Sequence, residues 1–92
     1  MLKTFKGKTA YAVWERRKTR LHPDVQRVAL RKLMVLNRAA NLNDLRVPPG
    51  NRLEALKGDR AGLHSIRIND QWRICFRWED QDAHDVEIVD YH

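Results

Sequence analysis

The side chains best suited to chemistry here are arginines spaced two apart on an alternating stretch. From Gln71 to Trp78, Trp72, Ile74, Phe76 and Trp78 alternate with Arg73, Cys75 and Arg77. A strand sends successive side chains to opposite faces, so one face is apolar and must be buried, and the other carries two guanidiniums. Arg67 joins them, because Ile66 and Ile68 claim the apolar side of the preceding stretch. A guanidinium is a planar fork of donors that matches phosphate oxygens. Three of them on the open face of a sheet predict an RNA-binding surface. The competing use is ion pairing with Glu87 or Glu79 across neighbouring strands. Cys75 lies between two of these arginines, where positive charge would favour a thiolate. An inert small residue is the expected role.

The charge distribution agrees with a polyanion partner. The chain has 92 residues, with 12 arginines, 6 lysines and 12 acids, for a net charge of +6. Glu79, Asp80, Asp82, Asp85, Glu87 and Asp90 fall in the last 14 residues, which contain no Lys or Arg. The first 78 residues therefore carry +12 and the remainder −6. A body this basic attracts nucleic acid. One cysteine excludes an internal disulfide and a cysteine-built zinc site, and fits a reducing, cytoplasmic compartment. The longest apolar run, Ala10 to Trp14, is far short of the ~20 residues that span a bilayer, so no membrane partner is expected. No charged start followed by a long apolar stretch marks a secretory signal. No His, Asp and Glu cluster has metal-ligand spacing, so neither a metal nor another cofactor is expected.

The elements that must position these residues are legible from period and punctuation. Met1 to Phe5 reads as a short strand, and residues 8–17 as a short helix with Ala10, Val13, Trp14 and Arg17 along one side. His22-Pro23-Asp24 is a helix start. From there to about Ala40, Val25, Val28, Ala29, Leu33 and Leu36 recur at three- and four-residue steps, widened by Leu30 and Met34. Arg27, Arg31 and Arg38 share a face read as solvated. A break follows from Asp44 to Asn51, containing Pro48-Pro49-Gly50. Strands are then predicted over Arg52–Leu56, Leu63–Ile68, Gln71–Trp78 and Val86–Val89, linked by short turns. His22 is expected to act as loop or cap, His64 to face the core, and His84 to sit in a turn. The order predicts one α+β domain over residues 1–92. Two N-terminal helices would pack on one face of a mostly antiparallel sheet of four to five strands.

Three segments carry a family resemblance: Leu53-Glu54-Ala55-Leu56-Lys57-Gly58-Asp59-Arg60-Ala61-Gly62; Ser65-Ile66-Arg67-Ile68-Asn69-Asp70-Gln71-Trp72-Arg73-Ile74; and Asp90-Tyr91-His92. Together they resemble the HigB-type toxins of the RelE superfamily, most of all the plasmid-maintenance killer branch that includes GraT. The resemblance covers the whole chain and is strongest from Pro49 onward. It implies a microbial-ribonuclease-like α+β fold and a type II toxin that cleaves mRNA on the translating ribosome. It also implies a cognate helix-turn-helix antitoxin of the HigA or GraA kind, with operator DNA reached only through that antitoxin.

The resemblance also implies a site. Lys57, Arg73, Asp90, Tyr91 and His92 match the positions that line the active site in such toxins. Arg60, inside the first motif, joins Arg67 and Arg77 as an RNA-binding expectation. Some relatives have a histidine where this chain has Glu54, so Glu54 is either a base or a bystander. Metal-independent RNA cleavage uses the adjacent 2′-hydroxyl as nucleophile. It needs a proton acceptor, a proton donor for the departing 5′-oxygen, and cations for the charge that builds on the phosphate. A histidine titrates near neutrality, so His92 suits acid or base work. Asp90 would orient that imidazole or share its proton transfer. Lys57 and Arg73 would hold the phosphate, and Tyr91 would stack on a base or donate a hydrogen bond. The last strand is expected to hold residues 90–92 on the open face beside Arg73 and Lys57. The alternatives are a non-cleaving inhibitor on the same fold, like the ParE gyrase poisons, and an RNA-binding module.

Overall fold

Pro23–Arg38 forms the long helix that the spacing predicts, and its ends explain its limits. The His22 imidazole accepts a hydrogen bond from the Asp24 amide at 3.1 Å, so His22 is the N-cap. Pro23 occupies the first turn, where its missing N–H costs nothing. Ala29, Leu33 and Leu36 are sealed against the sheet. The structure, a computed structural model, describes residues 1–90.

The elements run α1 (Thr9–Trp14), α2 (Pro23–Arg38), β1 (Glu54–Ala55), β2 (Leu63–Arg67), β3 (Trp72–Glu79) and β4 (Asp82–Asp90). The four strands are antiparallel neighbours in sequence order. The architecture is therefore the expected α+β, with two helices and a four-stranded sheet. Short 3₁₀ turns at Leu42–Arg46 and Pro49–Asn51 bridge helix to sheet. They are anchored by buried Asn51, whose amide donates to the Leu45 and Val47 carbonyls and whose Oδ1 accepts from Lys32. Burial lowers the Lys32 pKa, with nearby Arg31 and Arg67 acting in the same direction.

Several boundaries differ from the sequence expectation. Met1 to Phe5 makes only two isolated parallel bridges, Leu2 to Ala83 and Phe5 to Val86, rather than a strand. Arg52–Leu56 shrinks to two paired residues. The last strand begins at Asp82, so His84 is a strand residue opposite Arg77 and not part of a turn. That extension follows from a two-residue hairpin turn at Asp80-Gln81, both at positive φ (53° and 65°), which lets pairing resume at Asp82. A register shift between Cys75 and Arg77 leaves Asp85 at φ 52°, a bulge that keeps Val86 and Ile88 on the core side.

The core is the layer between the helices and one sheet face. Ile66, Ile74 and Ile88 lie in one cross-strand row, with Phe76 and Val86 beside them. Full burial of a side chain of this size stabilises by about 1.5–3 kcal/mol. His64 shares this face as expected, stacking on Phe76 with ring centroids 6.1 Å apart. Its Nδ1 is buried and has no hydrogen-bond partner among the described residues, and desolvation lowers its pKa. No helix among the described residues is long and apolar enough to cross a membrane.

Candidate active site

Arg73 and Cys75 depart from the expectation of an open sheet face. Both lie away from the helices, yet Arg73 is 5% exposed and Cys75 1%. The cover comes from the chain that enters β1. Arg73 Nε donates to Ser65 Oγ at 2.9 Å, and Nη2 donates to the Arg52 carbonyl at 2.6 Å. Nη1 lies 3.4 Å from Glu54 Oε1. Burying a guanidinium is costly unless its donors are met, and these contacts meet them. Arg52 sits in the left-handed region at φ 45°. The result is a cation held in one orientation at the edge of a polar face.

Strand register extends that face. Glu54, Ser65, Cys75 and Glu87 form one cross-strand row, and Arg67, Arg73 and Val89 form the next. Lys57 is exposed at the start of the 3₁₀ turn Gly58–Arg60, where Gly58 takes φ 67°. That turn brings Arg60 Nη1 to 3.9 Å from the Cys75 sulfur. Burial pushes the Cys75 thiol up, with Arg60 opposing, so the sulfur is a protonated filler rather than a nucleophile. Arg73, with Glu54, and Arg60 thus meet the neighbouring Ser65 and Cys75 positions of the face.

Arg67 and Arg77 stand differently. Arg67 pairs with Asp70. Arg77 pairs with Glu79, and its Nε lies 3.5 Å from Asp85. Both arginines therefore carry ion pairs, and Glu79 is one of the two acids the sequence offers for this. Asp90 is set opposite Trp72, one residue beyond the Arg73–Val89 pair, and accepts a hydrogen bond from Gln71 Nε2 at 3.1 Å. That register is out of step with Arg73, where the sequence expectation put Asp90 on the same face. Tyr91 and His92 lie outside the described residues. The residues that sequence reasoning missed are Ser65 and Arg52. Alternation with Ile66 signals which face Ser65 takes, but no local signal links the Arg52 carbonyl to a strand 21 positions away.

Comparison with known proteins identifies the family of the chain. Residues 3–92 match the model of the HigB-like toxin family, described as the RelE-like toxin of type II toxin–antitoxin system HigB. The chain is 36% identical over 98 residues to the Endoribonuclease HigB of Proteus vulgaris, covering 100% of both chains. It is 46% identical over 56 residues to the Toxin HigB-1 of Vibrio cholerae, a match spanning 61% of this chain and 59% of that protein. Among solved structures, the heterotetrameric YoeB–YefM toxin–antitoxin complex from Staphylococcus aureus contains a chain of the same fold. Its TM-score is 0.62 at 19% identity, covering 100% of this chain and 98% of that one. A family match over residues 3–92 and a relative aligned along its whole length establish the family: this chain belongs to the HigB-like, RelE-like toxins of type II toxin–antitoxin systems.

Proposed function

We propose that this chain is an endoribonuclease that cuts mRNA on the translating ribosome. The observation that carries the reading is Arg73, a buried guanidinium fixed by Ser65 and the Arg52 carbonyl, with Arg60 and Glu54 on the same face. Such a group meets developing phosphate charge without having to reorganise. The full-length relative named as an endoribonuclease supports the same activity.

In this reading the 2′-hydroxyl attacks the adjacent phosphate and the P–O5′ bond breaks. The hydroxyl proton passes to a base on the enzyme, and the departing 5′-oxygen takes a proton from an acid. The products are a cyclic phosphate and a free 5′-hydroxyl. His92 supplies the acid–base group, Tyr91 contacts the base or the phosphate, and Lys57 and Arg73 hold the phosphate oxygens. Asp90, which lies opposite Trp72 rather than beside Arg73, supports that chemistry from the end of β4 without touching the phosphate. Glu54 serves as counter-ion to Arg73 until substrate phosphate replaces it. Arg60, Arg67 and Arg77 contact the RNA backbone. The toxin acts in the cytoplasm as a single domain over residues 1–92. A helix-turn-helix antitoxin restrains it and alone contacts operator DNA.

Primer extension on mRNA after brief induction tests the reading. Discrete cuts within codons are expected from the wild type. His92→Ala should lose about 10²–10⁴-fold in rate, and Asp90→Ala less. Intact message with damaged DNA would overturn the proposal in favour of gyrase poisoning, and a His92→Ala protein cutting near the wild-type rate would remove the assigned acid–base group.

A further inference from the structure

Asn51 is fully buried, yet nothing in the phosphate chemistry calls for it. An amide in that setting is costly unless its hydrogen bonds are met. Its Nδ2 donates to the Leu45 and Val47 carbonyls, each at 3.2 Å, and its Oδ1 accepts from Lys32 on α2. The Asn51 main-chain N–H donates to the Pro48 carbonyl at 2.9 Å. One side chain therefore clasps the two 3₁₀ turns to each other and fastens both to the long helix.

The residue fastened in this way is the neighbour of Arg52, whose carbonyl receives Arg73 Nη2 at 2.6 Å. Arg52 closes the second turn in the left-handed region, at φ 45° and ψ 57°. An L side chain is disfavoured there, and asparagine is among the few residues that tolerate it. The chain nevertheless puts its asparagine one position earlier and an arginine in the strained place. Arg52 is exposed, so burial of its side chain does not offset the strain. What the conformation supplies is the direction of a carbonyl, and strain of this kind gathers at functional positions. From Arg52 the chain runs on to Glu54, whose Oε1 lies 3.4 Å from Arg73 Nη1. Two of the contacts that orient the buried guanidinium thus issue from a segment that Asn51 pins at its root.

We infer that Asn51 is a positioning residue for RNA cleavage: with Lys32 it holds the Arg52 carbonyl where Arg73 needs it, and so sets the direction of the guanidinium fork toward the scissile phosphate. The links run from α2 through Lys32 and Asn51 to Arg52 and on to Arg73, each of them a hydrogen bond or a peptide bond. The inference rests on the endoribonuclease reading and adds two residues outside the site on which its rate depends.

The test is ribosomal mRNA cleavage by the full chain, with kcat and KM determined separately and Tm recorded for each variant. Asn51→Ala should lose about 10–100-fold in kcat with little change in KM, as a misaimed group costs rate more than binding. Lys32→Met keeps the aliphatic stem and leaves the Asn51 clasp on the two turns, so it should lose about 3–10-fold, the scale of one hydrogen bond. It decides the matter where Asn51→Ala does not fold. In an Arg73→Ala background either substitution should add no further loss, because the group it aims is gone. Asn37 is the control: it sits on the same helix, but its Oδ1 accepts from the Leu2 amide at 2.9 Å, so it anchors a different segment. Asn37→Ala should keep the wild-type kcat. Wild-type kcat in either test variant, or a loss confined to KM, would overturn the assignment. So would an undiminished loss in the Arg73→Ala background or an equal loss in Asn37→Ala, both of which would mean a general softening of the fold. A wild-type chain that leaves translated mRNA intact would instead overturn the endoribonuclease reading itself.

Discussion

Arg73 directs its donors to Ser65, the Arg52 carbonyl and Glu54, and Glu54 is the most exchangeable of the three. The Glu54 side chain is 52% exposed and its oxygen is 3.4 Å away, whereas Ser65 is fully buried. An incoming phosphate can replace the carboxylate while the serine keeps the guanidinium plane in place. Ser65→Ala should therefore lower the kcat for ribosomal mRNA cleavage by about 10–100-fold with little change in KM, because a displaced catalytic group costs rate more than binding. Arg73→Lys should not restore activity, since an ammonium has no planar fork. Single-turnover cleavage by folded variants checks both. Cys75→Ser should cut at near the wild-type rate, because the protonated, buried sulfur has no part in the chemistry.

At the scale of elements, the β3–β4 hairpin and strand β2 offer the sharpest stability tests. Gln81 holds φ 65° in the hairpin turn, a conformation that costs a side chain roughly 1–2 kcal/mol. Gln81→Gly should raise stability by about 1 kcal/mol, seen as a Tm increase of a few degrees in thermal unfolding. On β2, burial lowers the His64 pKa, so the unfolded chain takes up that proton more readily than the folded one. The His64 contribution is thus complete above the unfolded value near ~6.5. It declines as pH falls through that value, and levels off once the folded imidazole also protonates. His64→Phe, which keeps a ring against Phe76, should remove this component from the pH dependence of denaturant unfolding, read as the difference from wild type.

For the whole molecule, charge is segregated between faces. The acids of residues 79–90 lie at the end of β3, in the hairpin turn and on β4, two of them engaging Arg77, and Arg16 and Lys18 border a groove between α1 and the start of α2. Among the described residues, Arg67, Arg73 and Arg77 of the sheet face are each matched by an acid of the fold, which leaves little free charge to order a flexible RNA. Cleavage of a purified transcript is therefore expected to be slow without ribosomes and fast on translating ones. Equal cutting in both reactions would show that the chain positions RNA unaided. Binding to ribosomes should also weaken steeply with salt, as contacts to phosphate do.

Features that depend on neighbours along the chain are legible in the residues alone. The α2 stripe, its His22-Pro23-Asp24 start and the period-two alternation of β3 are local, because helix and strand geometry repeat over a few residues. The family motifs were also readable, including Lys57 and Arg73. Tertiary structure decided where each charge finds its partner. Alternation correctly put Arg73 away from the helices, but only the return of the chain through Arg52 and Glu54 buried it there. It also reduced the expected first strand to two bridges, moved His84 from a turn into β4, and set Asp90 opposite Trp72. Those outcomes depend on pairings between residues far apart in sequence, settled by register, a bulge and the desolvation of a cation, and none of these leaves a periodic trace in the chain.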